Sequence, residues 1–462
     1  MRAMSEQGLQ QAREAMEAAG VHPRAIDVFT YYYGELERGA TGLIAESDIE
    51  PLTSVTRAAE LDVPSEDARQ AMATTAVIKL NGGLGTSMGM DRAKSLLTVR
   101  DGLSFLDIIV GQVSHLREQY DVRLPLLFMN SFRTRDDTLA ALKAYPDLAT
   151  HGLPLDFVQN REPKLGADDL TPIEWPADPE LQWCPPGHGD LYTALEASKV
   201  LQELLDAGFR YATVSNSDNL GAGPDPAIAG WFAASGAPYA AEVCRRTPAD
   251  RKGGHLAIRR SDGRLILRES AQTADADKAA FADEKRHAFF HTNNLWFDLW
   301  VLATTLEERQ GVLGLPLIRN VKTVDPADPT TPKVIQIETA MGAAIEVFAG
   351  AQAIEVERSR FLPVKTTNDL LLLRSDLYTL TPDFQVVPGA APLPLVDLDP
   401  LYYKTIDGFS GRFAEGVPSM RDAESLTVRG DWTFGADVRV VGAARLDDTG
   451  APERVATGTV LS

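Results

Sequence analysis

The chain is poor in cysteine, in basic charge and in long apolar runs. Its two cysteines, Cys184 and Cys244, form neither a CxxC pair nor a Cys/His zinc spacing, so a disulfide scaffold and a structural zinc site are excluded. No stretch reaches the roughly 18 apolar residues that a membrane helix needs, and no spanning segment is expected. Charges run through the opening residues without the apolar core of a signal peptide, so a cytoplasmic location is expected. Lys and Arg number 45 against 65 Asp and Glu, a formal net charge of −20. Such a surface repels nucleic acid and anionic membranes. A Gly-x-Ser-x-Gly elbow and an HExxH helix are missing, which leaves acyl transfer and zinc hydrolysis without support.

At 462 residues the chain is long enough for a large buried core and about two to three domains. Residues 5–38 read as helical, with Leu9, Ala12, Met16 and Ala19 at helical spacing, and 40–75 as a connector with short helices. From Thr75 onward short apolar runs alternate with amphipathic ones. Ala76–Ile78, Leu124–Met129, Leu155–Val158 and Tyr211–Val214 read as strands. Phe105–Gln119, Asp136–Ala144 and Leu191–Ala207 read as helices between them. That alternation predicts βαβ units and a mostly parallel sheet, whose ligands lie beyond the carboxyl ends of the strands. Pro388 to Pro400 is proline-rich and marks a domain boundary. Beyond it Val428, Phe434, Val440 and Leu446 recur every six residues, with Gly430, Ala436 and Gly442 in step. This period suggests coils of a parallel β-helix, although ordinary alternating strands leave a similar pattern.

The densest motif is residues 76–97, AVIKLNGGLGTSMGMDRAKSLL. A strand that ends in Gly82, Gly83, Gly85 and Gly89 lets backbone N–H groups crowd around a phosphate. Lys94 can then reach the outer phosphates as a point charge. Neither the Walker pattern nor the dinucleotide fingerprint fits the spacing. Three more polar loops follow strands: Asn130-Ser131-Phe132, Gln159-Asn160-Arg161 and Ser215–Asn219. In PPGHGD, residues 185–190, His188 is held between two glycines at a helix start and is open to a ligand, while Asp190 reads as the helix cap. Asp218 at a strand end suits a divalent cation shared with phosphates. Asn293 and Asn294 could bond sugar hydroxyls. Arg358, Arg360 and Lys365 put three cations within eight residues, interleaved with Phe361, Leu362 and Val364, so Lys365 is expected to point inward from a strand. Two ammonium groups, Lys94 and Lys365, would neutralise a phosphate chain as phosphoryl-type transfer requires.

Together these strings resemble the UDPGP family of UTP–glucose-1-phosphate uridylyltransferases. The resemblance is carried by LNGGLGTSMG at 80–89 with Lys94-Ser95, NSF at 130–132, PPGHGD at 185–190 and SNSDNLGA at 215–222. It continues through TNNLW at 292–296, VIQIETAMGAAI at 334–345 and SRFLPVKTTNDLLLL at 359–373. It implies an α/β fold: a Rossmann-like nucleotide-diphospho-sugar transferase domain with a mixed, mostly parallel sheet, then a C-terminal left-handed β-helix. The corresponding division is a helical segment at 1–74, the catalytic domain at 75–385 and the β-helix at 386–462. It also implies that UTP and glucose 1-phosphate give UDP-glucose and pyrophosphate reversibly, with Mg²⁺.

By the same resemblance, Leu80, Asn81, Gly82 and Gly83 line the uridine and phosphate site, and Gln159 and Gly187 read uracil. Lys94 meets the UTP phosphates, Lys365 is the main catalytic cation, and Asp218 holds Mg²⁺ beside nucleotide and sugar phosphate. His188, Asn216, Ser217 and Asn293 hold the sugar phosphate, and Glu338 touches the sugar. Met90-Asp91-Arg92-Ala93 stands where the family often has Cys-Lys-Gly-Pro, Ser217 where Ile is usual and His291 where Asn is usual. The rival readings are a UDP-sugar or UDP-N-acetylhexosamine pyrophosphorylase, a non-catalytic UDP-sugar-binding regulator, and an NAD oxidoreductase that the glycine spacing disfavours. The expected partners are the small-molecule substrates alone. An open β-helix end needs covering, which leaves a homo-oligomer open.

Overall fold

Successive side chains of a buried strand point to opposite faces, so an unbroken apolar run needs a core on both sides. Strand Thr75–Asn81 meets that need. Val77 joins a core beneath helix Phe105–Tyr120, together with Phe128, Ile109 and Val113. Ala76 and Ile78 join a second core with Leu127, Met129, Leu195, Leu204 and Leu302 on the opposite face. In this computed structural model, residues 2–150, 152–247, 250, 253–389 and 392–462 are described.

Among the described residues the central sheet has eleven strands. Its main path runs Thr56–Arg57, Gln352–Glu355, Tyr239–Arg245, Phe289–Asp298, Tyr211–Asn216, Thr75–Asn81, Leu126–Asn130 and Asp156–Val158. Pairings along it are parallel except for Phe289–Asp298, which runs antiparallel to both neighbours. The sheet is therefore mixed and largely parallel. Leu80 pairs with Asn216, Asn81 with Asn130, and Asn130 with Val158. That register ends four strands at one level, and the loops that leave them share one edge.

The N-terminal part departs from the helical expectation. Helices Arg2–Ala18 and Pro23–Glu37 form, separated at Gly20, whose φ of 70° ends the first. Residues 40–75, however, also supply strands Ile49–Pro51 and Thr56–Arg57, which pair with His255–Arg259 and Gln352–Glu355. Strands of three and two residues are too short to show a period. Leu191–Ala207 is two helices, Leu191–Ala197 and Val200–Asp206, broken where Lys199 takes a φ of 66°.

In the tail, strands Leu395–Leu398, Ser419–Val428, Arg439–Leu446 and Val460–Leu461 form one parallel sheet. Trp432–Phe434 and Glu453–Val455 form a second parallel pair. Val428, Phe434 and Val440 point inward from successive strands, whereas Leu446, the fourth of the six-residue series, ends the same strand as Val440 and is only partly buried. Their core is continuous with the one under helix Phe105–Tyr120. Ala390 and Ala391, inside the proline-rich stretch read as a boundary, lie outside the described residues. No helix among the described residues is long and apolar enough to cross a membrane.

Candidate active site

Loops that follow Thr75–Asn81, Asp156–Val158 and Tyr211–Asn216, together with the PPGHGD turn, line a cleft of about 330 Å³. Leu80, Gly82, Gly83, Lys94, Gln159, Gly187, His188, Asn216, Ser217 and Asp218 line it, and Met129 and Pro185 complete the wall. These last two were not nominated from sequence, since an apolar strand residue and a loop proline carry no chemical signal.

Close approach demands glycine at 187 and crowds position 82. At Gly187, φ is 76°, and a Cβ there would lie 2.5 Å from the Thr339 carbonyl oxygen. A Cβ on Gly82 would lie 2.9 Å from Gln159 Oε1. Gln159 in turn donates from Nε2 to the Gly187 carbonyl at 2.9 Å, which joins the loop after Asp156–Val158 to the PPGHGD turn.

His188 Nδ1 accepts the Met341 N–H at 2.9 Å. Burial lowers its pKa, opposed by Glu338, so the ring is neutral and carries its proton on Nε2. It can give that proton as a hydrogen bond to an anionic oxygen. Asp190, read as a helix cap, makes no cap bond. Its carboxylate instead accepts the Asn160 N–H at 2.6 Å and Asn160 Nδ2 at 2.9 Å, which anchors the loop that carries Gln159. Burial raises its pKa to about 7 against those two bonds.

Charge in the cleft centres on one pair. Lys94 Nζ donates to Asp218 Oδ2 at 2.7 Å and also to the Val364 carbonyl. The two side chains remain 14% and 22% exposed, so an incoming phosphate or cation can reach them. Among the described residues no group of three or more His, Cys, Asp or Glu side chains is arranged to hold a metal. A single cleft carboxylate suits an ion shared with phosphates, which supply its other ligands.

Five nominated residues, Asn81, Asn293, Asn294, Glu338 and Lys365, lie outside the lining. Asn81 turns into a buried network, donating to Asn130 Oδ1 at 2.8 Å and Thr138 Oγ1 at 2.9 Å, and accepting from Ser217 Oγ at 3.1 Å. Asn293 takes a left-handed φ of 61° and bonds His291 Nδ1 through its own N–H at 3.1 Å. Asn294, its proposed companion, is buried and donates to Glu242 at 3.0 Å. Glu338 pairs with Lys322 at 3.1 Å, beside the PPGHGD turn.

Lys365 corrects the sequence reading: it is exposed and in a turn, not directed inward from a strand. The Asp369 carboxylate accepts the N–H groups of Lys365 and Thr366 at 2.8 Å each, which starts helix Thr367–Arg374 and swings the lysine outward. Its Nζ lies 6.0 Å from the centre of the Phe361 ring, one residue beyond the carbonyl that Lys94 contacts. Lys79, the first cation of the motif at 76–97, is fully buried. It donates to Ser215 Oγ at 2.7 Å and the Ala222 carbonyl at 2.8 Å, and burial lowers its pKa to about 7. It braces the loop that carries Asp218.

Residues 27–440 match the UDPGP family, UTP–glucose-1-phosphate uridylyltransferase. The chain belongs to that family. A potato (Solanum tuberosum) UTP–glucose-1-phosphate uridylyltransferase is 38% identical over 421 residues, 89% of this chain and 85% of its own. The Saccharomyces cerevisiae enzyme of the same name is 41% identical over 370 residues, 79% of this chain and 72% of its own. Among solved structures, a variant UDP-glucose pyrophosphorylase from Leishmania major in complex with UDP-glucose superposes with a TM-score of 0.91. It is 41% identical and covers 98% of each chain. A UDP-glucose phosphorylase from Trypanosoma brucei gives 0.90 at 42% identity, covering 99% of this chain and 98% of that one.

Proposed function

We propose that this member of the family makes UDP-glucose and pyrophosphate from UTP and glucose 1-phosphate, reversibly. The observation that carries the reading is the Lys94–Asp218 pair in a glycine-walled cleft at the strand ends. A phosphate oxygen of the sugar phosphate attacks the α-phosphorus of UTP in line, and pyrophosphate leaves. The nucleophile is already an anion, so no proton has to move and no enzyme base is needed. The work is positioning and charge neutralisation.

In this reading Leu80, Asn81, Gly82, Gly83, Gln159 and Gly187 form the nucleotide half, with Asn81 acting through its backbone. His188, Asn216, Ser217 and Asn293 hold the sugar phosphate, and Glu338 faces the sugar. Lys94 leaves Asp218 for the pyrophosphate oxygens, and Lys365 folds over the cleft from the Phe361 turn. Asp218, once released, would hold Mg²⁺, which supplies charge neutralisation on the phosphates.

We extend the reading to the architecture: a helical segment at 1–74, a Rossmann-like catalytic domain at 75–385 and a left-handed β-helix at 386–462. The parallel pairing of the tail strands supports the last of these. Free, buried Cys184 and Cys244 and the net charge of −20 suit a cytoplasmic protein whose partners are its four small substrates and products. The edge strand Val460–Leu461 offers a self-association surface.

Pyrophosphate release from UTP and Mg²⁺ across a panel of sugar 1-phosphates tests the reading. Glucose 1-phosphate is expected to react more than about tenfold faster than its N-acetylglucosamine counterpart, a barrier difference of about 1.4 kcal/mol. Equal rates would overturn the glucose assignment in favour of a broad or acetylhexosamine enzyme.

A further inference from the structure

One buried charge close behind the cleft takes no part in the chemistry above. Glu242 stands in strand Tyr239–Arg245, wholly buried between Ala241 and Val243. Its carboxylate receives Arg360 Nε at 2.8 Å, Arg360 Nη2 at 2.7 Å, Trp296 Nε1 at 2.9 Å and Asn294 Nδ2 at 3.0 Å. Burial pushes this carboxyl up, but Arg360 and the other donors outweigh it and hold it below the usual range. Stability alone gives no reason for such a group, because a buried ion pair is often replaced by apolar residues at no loss.

What the pair does hold is a segment. Arg360 also donates from Nη1 to the Gly223 carbonyl at 3.1 Å, and its own carbonyl accepts Asn219 Nδ2 at 3.1 Å. Leu362 N–H reaches Asn219 Oδ1 at 2.8 Å, and Val364 N–H reaches the Asp218 carbonyl at 3.2 Å. Residues 360–364 are thereby bound along the loop that carries Asp218, and Lys365 follows directly.

We propose that Glu242 is a positioning residue for the transfer reaction: through Arg360 it fixes the segment, bound along the Asp218 loop, from which Lys365 folds over the cleft. The inference rests on the catalytic role given to Lys365 above. A misplacement of about 1 Å in such a group costs on the order of 100-fold in rate.

The test is a double-mutant cycle on kcat with wild type, Glu242→Gln, Lys365→Ala and the double variant. Glu242→Gln is expected to lower kcat about 10- to 100-fold while UDP-glucose affinity stays within about threefold. In that background Lys365→Ala should cost less than about a third of the factor it costs in wild type. If the cost is the same in both backgrounds, Glu242 does not position Lys365 and the inference is overturned. If Lys365→Ala changes wild-type kcat by less than about tenfold, the catalytic assignment of Lys365 fails first, and the inference falls with it. Should Glu242→Gln not fold, Arg360→Lys runs the same cycle, since it keeps the charge and loses the two-pronged contact.

Discussion

Asp218→Asn is expected to lower kcat by about 100- to 1,000-fold and to raise the Mg²⁺ concentration for half-maximal rate more than about tenfold. The side chain lines the cleft at a strand end, and Lys94 pairs with it there at 2.7 Å. Asparagine keeps the shape and removes the charge, so the protein contributes no anionic ligand to a cation that arrives with UTP. Lys94, freed from its partner, can still meet the phosphates, so UTP affinity should move much less than turnover. Initial rates over a magnesium titration measure both quantities. An unchanged magnesium requirement, with kcat within about threefold of wild type, would leave Asp218 as a resting partner of Lys94 only.

Lys365→Ala is the second large effect, a fall in kcat of about 100- to 1,000-fold with UDP-glucose affinity within about threefold. The exposed position of the ammonium explains the split. A solvated lysine on a turn has little part in ground-state binding, whereas negative charge grows on the departing pyrophosphate only as the bond breaks. Steady-state rates and calorimetric titration with UDP-glucose separate the two terms. A fall in affinity equal to the fall in rate would make Lys365 a binding residue and not a catalytic one.

Much of this site was legible before any coordinates. A parallel sheet places functional loops at strand ends, and the apolar runs Ala76–Ile78, Leu124–Met129, Leu155–Val158 and Tyr211–Val214 point to four of them. The sheet register brings those strand ends level. Side-chain direction was less legible. The apolar residues before Lys365 suggested a strand, but Asp369 caps a helix there and turns the lysine out. Asp190 has the look of a cap from its place before a helix, and only the fold brings Asn160 to it across thirty residues. Asn81 and Asn294 differ from their neighbours in sequence very little, yet each spends its amide inside the core. Glu242 did leave a signal: a lone carboxylate in Tyr-Ala-Ala-Glu-Val-Cys-Arg, a run otherwise fit for a buried strand, requires a partner. Which cation answers it is a long-range fact, 118 residues away.

The central claim is direct in-line displacement at the α-phosphorus, with no covalent enzyme intermediate. UTP made chiral at that phosphorus by sulfur substitution tests it most directly, through the configuration of the UDP-glucose formed. One displacement gives inversion, the expected result. Retention would mean two displacements through a uridylyl-enzyme, with His188 as the imidazole lining the cleft, and would contradict a mechanism built on positioning and charge alone.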